Sequence, residues 1–161
     1  MDENLVNIGQ IRTAKSPTIL QALALGSCVG ITIWDPIHKI GSLAHAVLPA
    51  LPPSKRKKPR PQRYVISAIA IMLEEMRKLG SDTLERKLEA KLVGGANMFP
   101  KASLLDVGTR NVQVARTRLR ELGVPLVAEE TGKDFGRTMA FSCQDGSIEI
   151  TRAGGKLWKK L

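Results

Sequence analysis

Residues 22–34 read ALALGSCVGITIW. Two apolar runs meet at a Gly-Ser break, and a cysteine, Cys28, stands directly after it. Short runs rich in Leu, Val and Ile and bounded by small residues read as buried strands, so 18–25 and 29–34 are expected as two strands broken at Gly26-Ser27. Cysteine is among the most buried residue types, and a structural thiol fits the position. An aimed nucleophile fits it equally. A tight turn at Gly26-Ser27 can present the next side chain and gather consecutive amide N–H groups into an oxyanion site.

Downstream, DPIHKIG (35–41) carries the Asp, Pro and Gly of a reversing turn, and SLAHAVLP (42–49) reads as a strand apolar on both faces. That strand takes His45 into the interior. A buried imidazole without a polar partner costs about 2 kcal/mol or more, so His45 must bond to something. A free thiol has a pKa of about 8.5 and is mostly protonated at neutral pH unless a base or aimed N–H groups favour the anion. His45, on the strand that the 35–41 turn brings back beside Cys28, is placed to supply that activation. Cys28 and His45 are the candidate catalytic pair, with Gly26 and Ser27 as candidate oxyanion or orienting residues. Spacing alone leaves the structural reading of Cys28 open.

Working outward, Val6 and Ile8 alternate with polar neighbours and suggest a short first strand. PALPPSKRKKPRP (49–61) holds five prolines and five Lys or Arg and is expected as a charged surface loop over about 50–61. Val65, Ile69, Met72, Met76 and Leu79 form the stripe of an amphipathic helix that stops at Gly80. Val112, Ala115, Leu119 and Leu122 form a second stripe ending at Gly123, with Asn111 expected to serve that helix's start. EAKLVGG (89–95), VPLVAEE (124–130), RTMAFSC (137–143) and SIEIT (147–151) read as strands, the last two joined as a hairpin through Gln144-Asp145-Gly146. Met139, Phe141 and Cys143 share one face, which makes Cys143 a core residue. The closing segment, about 153–161, reads as a basic tail that Leu157 and Trp158 could dock.

The chain of 161 residues is long enough for one domain with a proper core, so 1–161 is read as a single domain. No run approaches a membrane span, and the opening MDENLVNIGQ lacks the basic start and apolar stretch of a secretory signal. Two cysteines make no disulfide framework, and the expected location is the cytoplasm. A net charge of +10 implies an acidic partner. Nucleic acid is disfavoured, since only 6 aromatics are available to stack bases and no groove-reading motif appears. Cys28, His38, His45 and Cys143 show no zinc spacing, with His38 in an exposed turn, and VGGANMF lacks the lysine of a phosphate loop.

LALGSCVGITIWDP followed by AHAVLP, AKLVGGANMF, VGTRNV, AEETG and GRTMAF, in that order from about Ile8 to Arg152, resembles the CheD family of chemoreceptor glutamine deamidases. The resemblance implies an α/β fold with packed mixed β-sheets and helices on one side, similar to deamidating toxins of the cytotoxic necrotising factor type. It also implies a nucleophile at Cys28, a base at His45 and no cofactor. The implied partners are the cytoplasmic helices of methyl-accepting receptors and a CheC-type phosphatase. Two positions depart from the family pattern: Ala22 stands where a threonine usually helps orient the histidine, and Ala24 where glycine is common. Gln21, Ser27, Thr32, Ser42 or a backbone carbonyl must then orient His45, or the chain is a weakly catalytic adaptor that binds receptors and CheC.

Overall fold

Two adjacent strands, β3 (Val29–Asp35) and β4 (Ile40–Ala46), are buried at every position, which requires that both their faces be covered. They form an antiparallel hairpin in register from Val29 opposite Ala46 to Asp35 opposite Ile40. The Asp35 carboxylate closes the turn, accepting from the N–H of Ile37 (2.9 Å) and His38 (3.0 Å) and from the Ser81 hydroxyl (2.6 Å). Asp35 also pairs with His38 Nδ1 at 2.8 Å, so His38 serves this turn.

The computed structural model describes residues 3–50, 60–82, 87–99, 106–152 and 155–161. The expected basic loop at 50–61 lies for the most part outside them. Around the hairpin stands a five-stranded sheet in the order β1-β4-β3-β5-β6, with β1 at Ile11–Lys15, β5 at Glu89–Gly94 and β6 at Leu126–Thr131. Only β5 and β6 run parallel in it, the connection between them carrying a helix. A four-stranded antiparallel sheet is ordered β2-β7-β8-β9, comprising Ile19–Leu25, Arg137–Ser142, Ile148–Arg152 and Leu157–Lys160. Helices α1 (Val65–Lys78) and α2 (Val107–Glu121) lie on the outer face of the larger sheet. The result is an α/β fold with mixed sheets and helices to one side.

Alternation along β3 and β4 divides the core in two. Val29, Ile31, Ile33, Ala44 and Ala46 face the helices and meet Ile69, Met72, Met76, Val112, Ala115 and Leu119. Trp34 and Leu43 face the second sheet and meet Leu20, Leu25, Met139, Phe141 and Cys143. A Cβ on Gly41 would lie 2.6 Å from the Phe141 ring and 2.9 Å from Cys143 Sγ, so the missing side chain lets the sheets approach. The Trp34 indole N–H donates to the Cys143 carbonyl at 2.9 Å and ties them together.

The expected first strand at Val6 and Ile8 is corrected. That segment only bridges β2, through Leu5 opposite Gln21, and the edge strand β1 lies further on at Ile11–Lys15. β1 was hidden because Ile11 and Ala14 are its only apolar residues, as suits an edge. The closing basic segment adds β9 to the smaller sheet, and Trp158 packs edge-on against Phe135 at 5.2 Å between centroids.

Candidate active site

The Gly26-Ser27 break is more than a pause between neighbouring strands. β2 belongs to the smaller sheet and β3 to the larger, so residues 26–28 carry the chain from one layer to the other. β2 leaves its ladder through an irregularity between Ala22 and Leu25, where Ala24 takes φ +54° and its N–H donates to Thr138 Oγ1 at 3.2 Å. The common family glycine at this position therefore has a physical reason: an L side chain here is strained. Gly26 differs from expectation. It has no positive φ, and a Cβ on it would merely touch Met98 Cγ at 3.5 Å, so no backbone demand fixes glycine there.

All three carbonyls of the bend are held from one side. Gly26 O accepts the Ala96 N–H (2.9 Å), Ser27 O accepts Asn111 Nδ2 (2.8 Å) and Cys28 O accepts the Gly95 N–H (2.8 Å). Among the described residues no backbone carbonyl takes the N–H of Gly26, Ser27 or Cys28. Among the described residues, carbonyls held in this way beside Gly26 and Ser27 N–H groups that meet no backbone carbonyl give the polarity an oxyanion site requires. Gly94 and Gly95 adopt φ +105° and +63°, and a Cβ on Gly94 would lie 2.5 Å from the Cys28 carbonyl oxygen. These glycines are the close-approach positions behind the bend.

His45 stands directly opposite Gly30 in the β3–β4 ladder. Cys28, two residues before Gly30, lies on the diagonal of the same face, which in antiparallel ladders spans about 7–8 Å. Cys28 is half-buried against the inter-sheet core, while His45 is 1% exposed. The ladder thus places the two candidate residues on one face, near its open end. Gln10 O accepts the His45 N–H at 3.0 Å, Gly9 N–H donates to His45 O at 2.8 Å, and Nδ1 meets the Val6 carbonyl at 3.1 Å. A carbonyl can only accept, so Nδ1 carries the proton and neutral His45 presents a bare Nε2. That Nε2 is buried and, among the described residues, has no hydrogen-bond partner.

The partner of the His45 ring is the Val6 carbonyl. Of the side chains considered as orienters, Ser42 pairs with Thr13 (2.8 Å) and Thr32 donates to Lys91 O (3.4 Å), neither of them to His45. Ala22 itself is fully buried in the inter-sheet core. Sequence reasoning missed Val6 because a main-chain acceptor has no residue signature. It also misplaced Asn111: the helix cap is Asp106, which accepts the Thr109 N–H at 3.0 Å, and Asn111 lies a turn further in. The available signal was a polar residue on the buried stripe of Ala115 and Leu119.

Burial pushes the Cys28 thiol above 9.0, opposed by its own backbone N–H and by the charge of Arg63. Burial likewise holds His45 below 6.5, opposed by its bond to Val6 O. The resting pair at neutral pH is therefore a thiol and a neutral imidazole. Arg63 follows from the chain's return beside β4, where its carbonyl accepts the Val47 N–H at 2.8 Å. Cys143 is fully buried and its thiol is pushed by burial up to about 11, which leaves it inert. No helix among the described residues is long and apolar enough to cross a membrane.

The fold is that of a two-sheet α/β protein in which a half-buried thiol stands at the bend between the sheets and a buried imidazole on the neighbouring strand. Residues 47–152 match the family described as CheD chemotactic sensory transduction. A probable chemoreceptor glutamine deamidase CheD of Clostridium novyi is 40% identical over 156 residues, covering 95% of this chain and 94% of that protein. Its counterpart in Archaeoglobus fulgidus is 40% identical over 159 residues, or 97% and 98% of the two chains. The chemoreceptor glutamine deamidase CheD of Thermotoga maritima is 33% identical over 153 residues, or 95% and 94%. The chain belongs to the CheD family.

Proposed function

We propose that this protein hydrolyses glutamine side chains of chemoreceptors to glutamate, with Cys28 as nucleophile and His45 as proton carrier. The observation that carries the reading is the bare, buried Nε2 of His45, fixed by the Val6 carbonyl on the face that also holds Cys28. An imidazole with that tautomer can take a thiol proton once substrate draws the groups together, and apo distances are often long.

His45 Nε2 removes the Cys28 proton as sulfur attacks the carboxamide carbon. The carbonyl oxygen becomes an oxyanion that N–H groups of the bend at Gly26 and Ser27 stabilise. The C–N bond then breaks, the imidazolium gives its proton to the leaving nitrogen, and ammonia departs from a thioester. Water, deprotonated by His45, attacks the thioester. The C–S bond breaks, glutamate leaves and the thiol recovers its proton, so the sum is glutamine plus water to glutamate plus ammonia. The new carboxylate is a site that methylation can neutralise.

The alternative, a weakly catalytic adaptor, rests on Ala22; the bond of His45 Nδ1 to the Val6 carbonyl supports the catalytic reading over it. The charge of +10 suits acidic receptor helices in the cytoplasm, with a CheC-type phosphatase as a further partner. The test is incubation with receptor cytoplasmic fragments followed by peptide mass spectrometry. Each converted glutamine should gain about 1 Da, and Cys28→Ala should abolish the gain. Fragments left unchanged by the wild-type protein would refute the reading.

A further inference from the structure

Asn111 bonds to both halves of the site. From α2 its Nδ2 donates to Ser27 O at 2.8 Å and to Val47 O at 3.0 Å. Ser27 is the residue before Cys28, and Val47 follows β4 two residues after His45. Both hydrogens of one amide nitrogen are spent on these two carbonyls, which lie on separate segments. Asn111 is fully buried, and its Oδ1 has no hydrogen-bond partner among the described residues. An orphaned buried acceptor opposes folding, so what this side chain contributes is its pair of donors.

The surroundings fix the amide where it is. Gly108, one turn earlier on α2, abuts the loop that holds the bend: a Cβ there would lie 2.2 Å from Ala96 O and 2.7 Å from Gly95 O. Gly95 and Ala96 are the residues whose N–H groups hold Cys28 O and Gly26 O. Helix α2 therefore reaches the bend twice, through this loop and through Asn111. Asn111 extends the hold by a hydrogen bond to the residue that follows the strand of His45.

We infer that Asn111 is a positioning residue whose amide clamps the Cys28 bend to the end of the His45 strand and so sets the relation of sulfur to imidazole. The inference rests on the deamidase reading and deepens it. Without the clamp, β3 and β4 stay paired through their ladder, but the three residues outside β3 that carry the sulfur loosen. Two effects of opposite sign follow: the thiol becomes more accessible to a small reagent, and its alignment with His45 worsens.

The test uses Asn111→Ala and the isosteric Asn111→Asp, which turns a carboxylate toward two carbonyls. Cys28 and Cys143 are alkylated with iodoacetamide and followed separately by peptide mass spectrometry. Fully buried Cys143 serves as an internal reporter of global opening. In both variants kcat for receptor-fragment deamidation should fall about 10–100-fold while KM stays within about threefold. Alkylation of Cys28 should accelerate about 3–10-fold while that of Cys143 is unchanged. Asn111→Gln, which keeps the donors on a longer stem, should recover part of kcat. Equal acceleration at both cysteines, unchanged kcat, or failure of both variants to fold would overturn the inference and leave Asn111 a residue of the fold alone. Absence of turnover in the wild-type protein would instead refute the deamidase reading, and the alkylation contrast would still judge the clamp.

Discussion

Gly94→Ala is the substitution that should most directly disturb the nucleophile from behind. A Cβ at this position would lie 2.5 Å from Cys28 O, against the 3.4 Å at which ordinary contact begins. Something must move by the difference, about 0.9 Å, and the neighbour is backbone with no flexible end to yield. The Cys28 carbonyl accepts the Gly95 N–H at 2.8 Å, so displacement of that size breaks the bond. A lost hydrogen bond costs about 1 kcal/mol. Alanine at φ +105° adds strain of about 1–3 kcal/mol. The sum, about 3 kcal/mol, corresponds to a melting-temperature drop of about 6–12 °C for a chain of this size. With Cys28 as the proposed nucleophile, a backbone shift of nearly 1 Å at that residue should cost about a hundredfold in kcat. Both are measured on one preparation, by thermal denaturation and by deamidation assayed well below the variant's transition. A variant melting within 2 °C or so of wild type with full kcat would refute the idea that Gly94 seats the bend.

Three other outcomes are expected. Ala24→Gly relieves an L residue at φ +54° and should stabilise the fold by about 0.5–1 kcal/mol in urea denaturation, the strain relieved exceeding the entropy glycine adds to the unfolded chain. The kcat/KM profile should be bell-shaped. Burial holds His45 below 6.5 and lifts Cys28 above 9.0, so the acid limb, where the base is lost, falls below pH 6.5 and the alkaline limb above pH 9. An acid limb centred above 6.5 would contradict this assignment. Cys143, whose thiol rises with burial from 9.0 to about 11, deprotonates first in the unfolded chain. Its contribution to stability is complete below pH 9 and should be lost as pH rises from 9 to 11, by about 2–3 kcal/mol. Urea curves at pH 8 and pH 10.5 should show about 2 kcal/mol of that loss in wild type and a smaller one in Cys143→Ala.

Much of the frame was legible in the sequence because periodicity reports burial. The stripe from Val65 to Leu79 predicts α1 almost to its ends, and the alternation of Met139, Phe141 and Cys143 predicts one inward face of β7 and its extension. Cys28 and His45 were legible as a pair because a seven-residue turn stands between their strands, and a hairpin is the simplest consequence. Which sheet each strand joins was not legible. β2 and β3 are both apolar, and local pattern cannot say that the chain changes layers between them. Long-range main-chain contacts were hidden for the same reason: the Val6 carbonyl meets His45 across 39 residues, and its identity as valine is irrelevant to the bond. Asn111 reads locally as helix-start chemistry, and nothing local to it signals that Ser27 O and Val47 O converge on its amide.

The most direct measurement is the intact mass of the enzyme quenched in acid while it turns over a glutamine-bearing receptor peptide. A fraction of the protein should carry an added mass equal to the peptide less ammonia, mapped by proteolysis to Cys28 and absent from Cys28→Ala. An adduct on any other side chain, or undiminished turnover once the sulfur has been removed, would contradict the account.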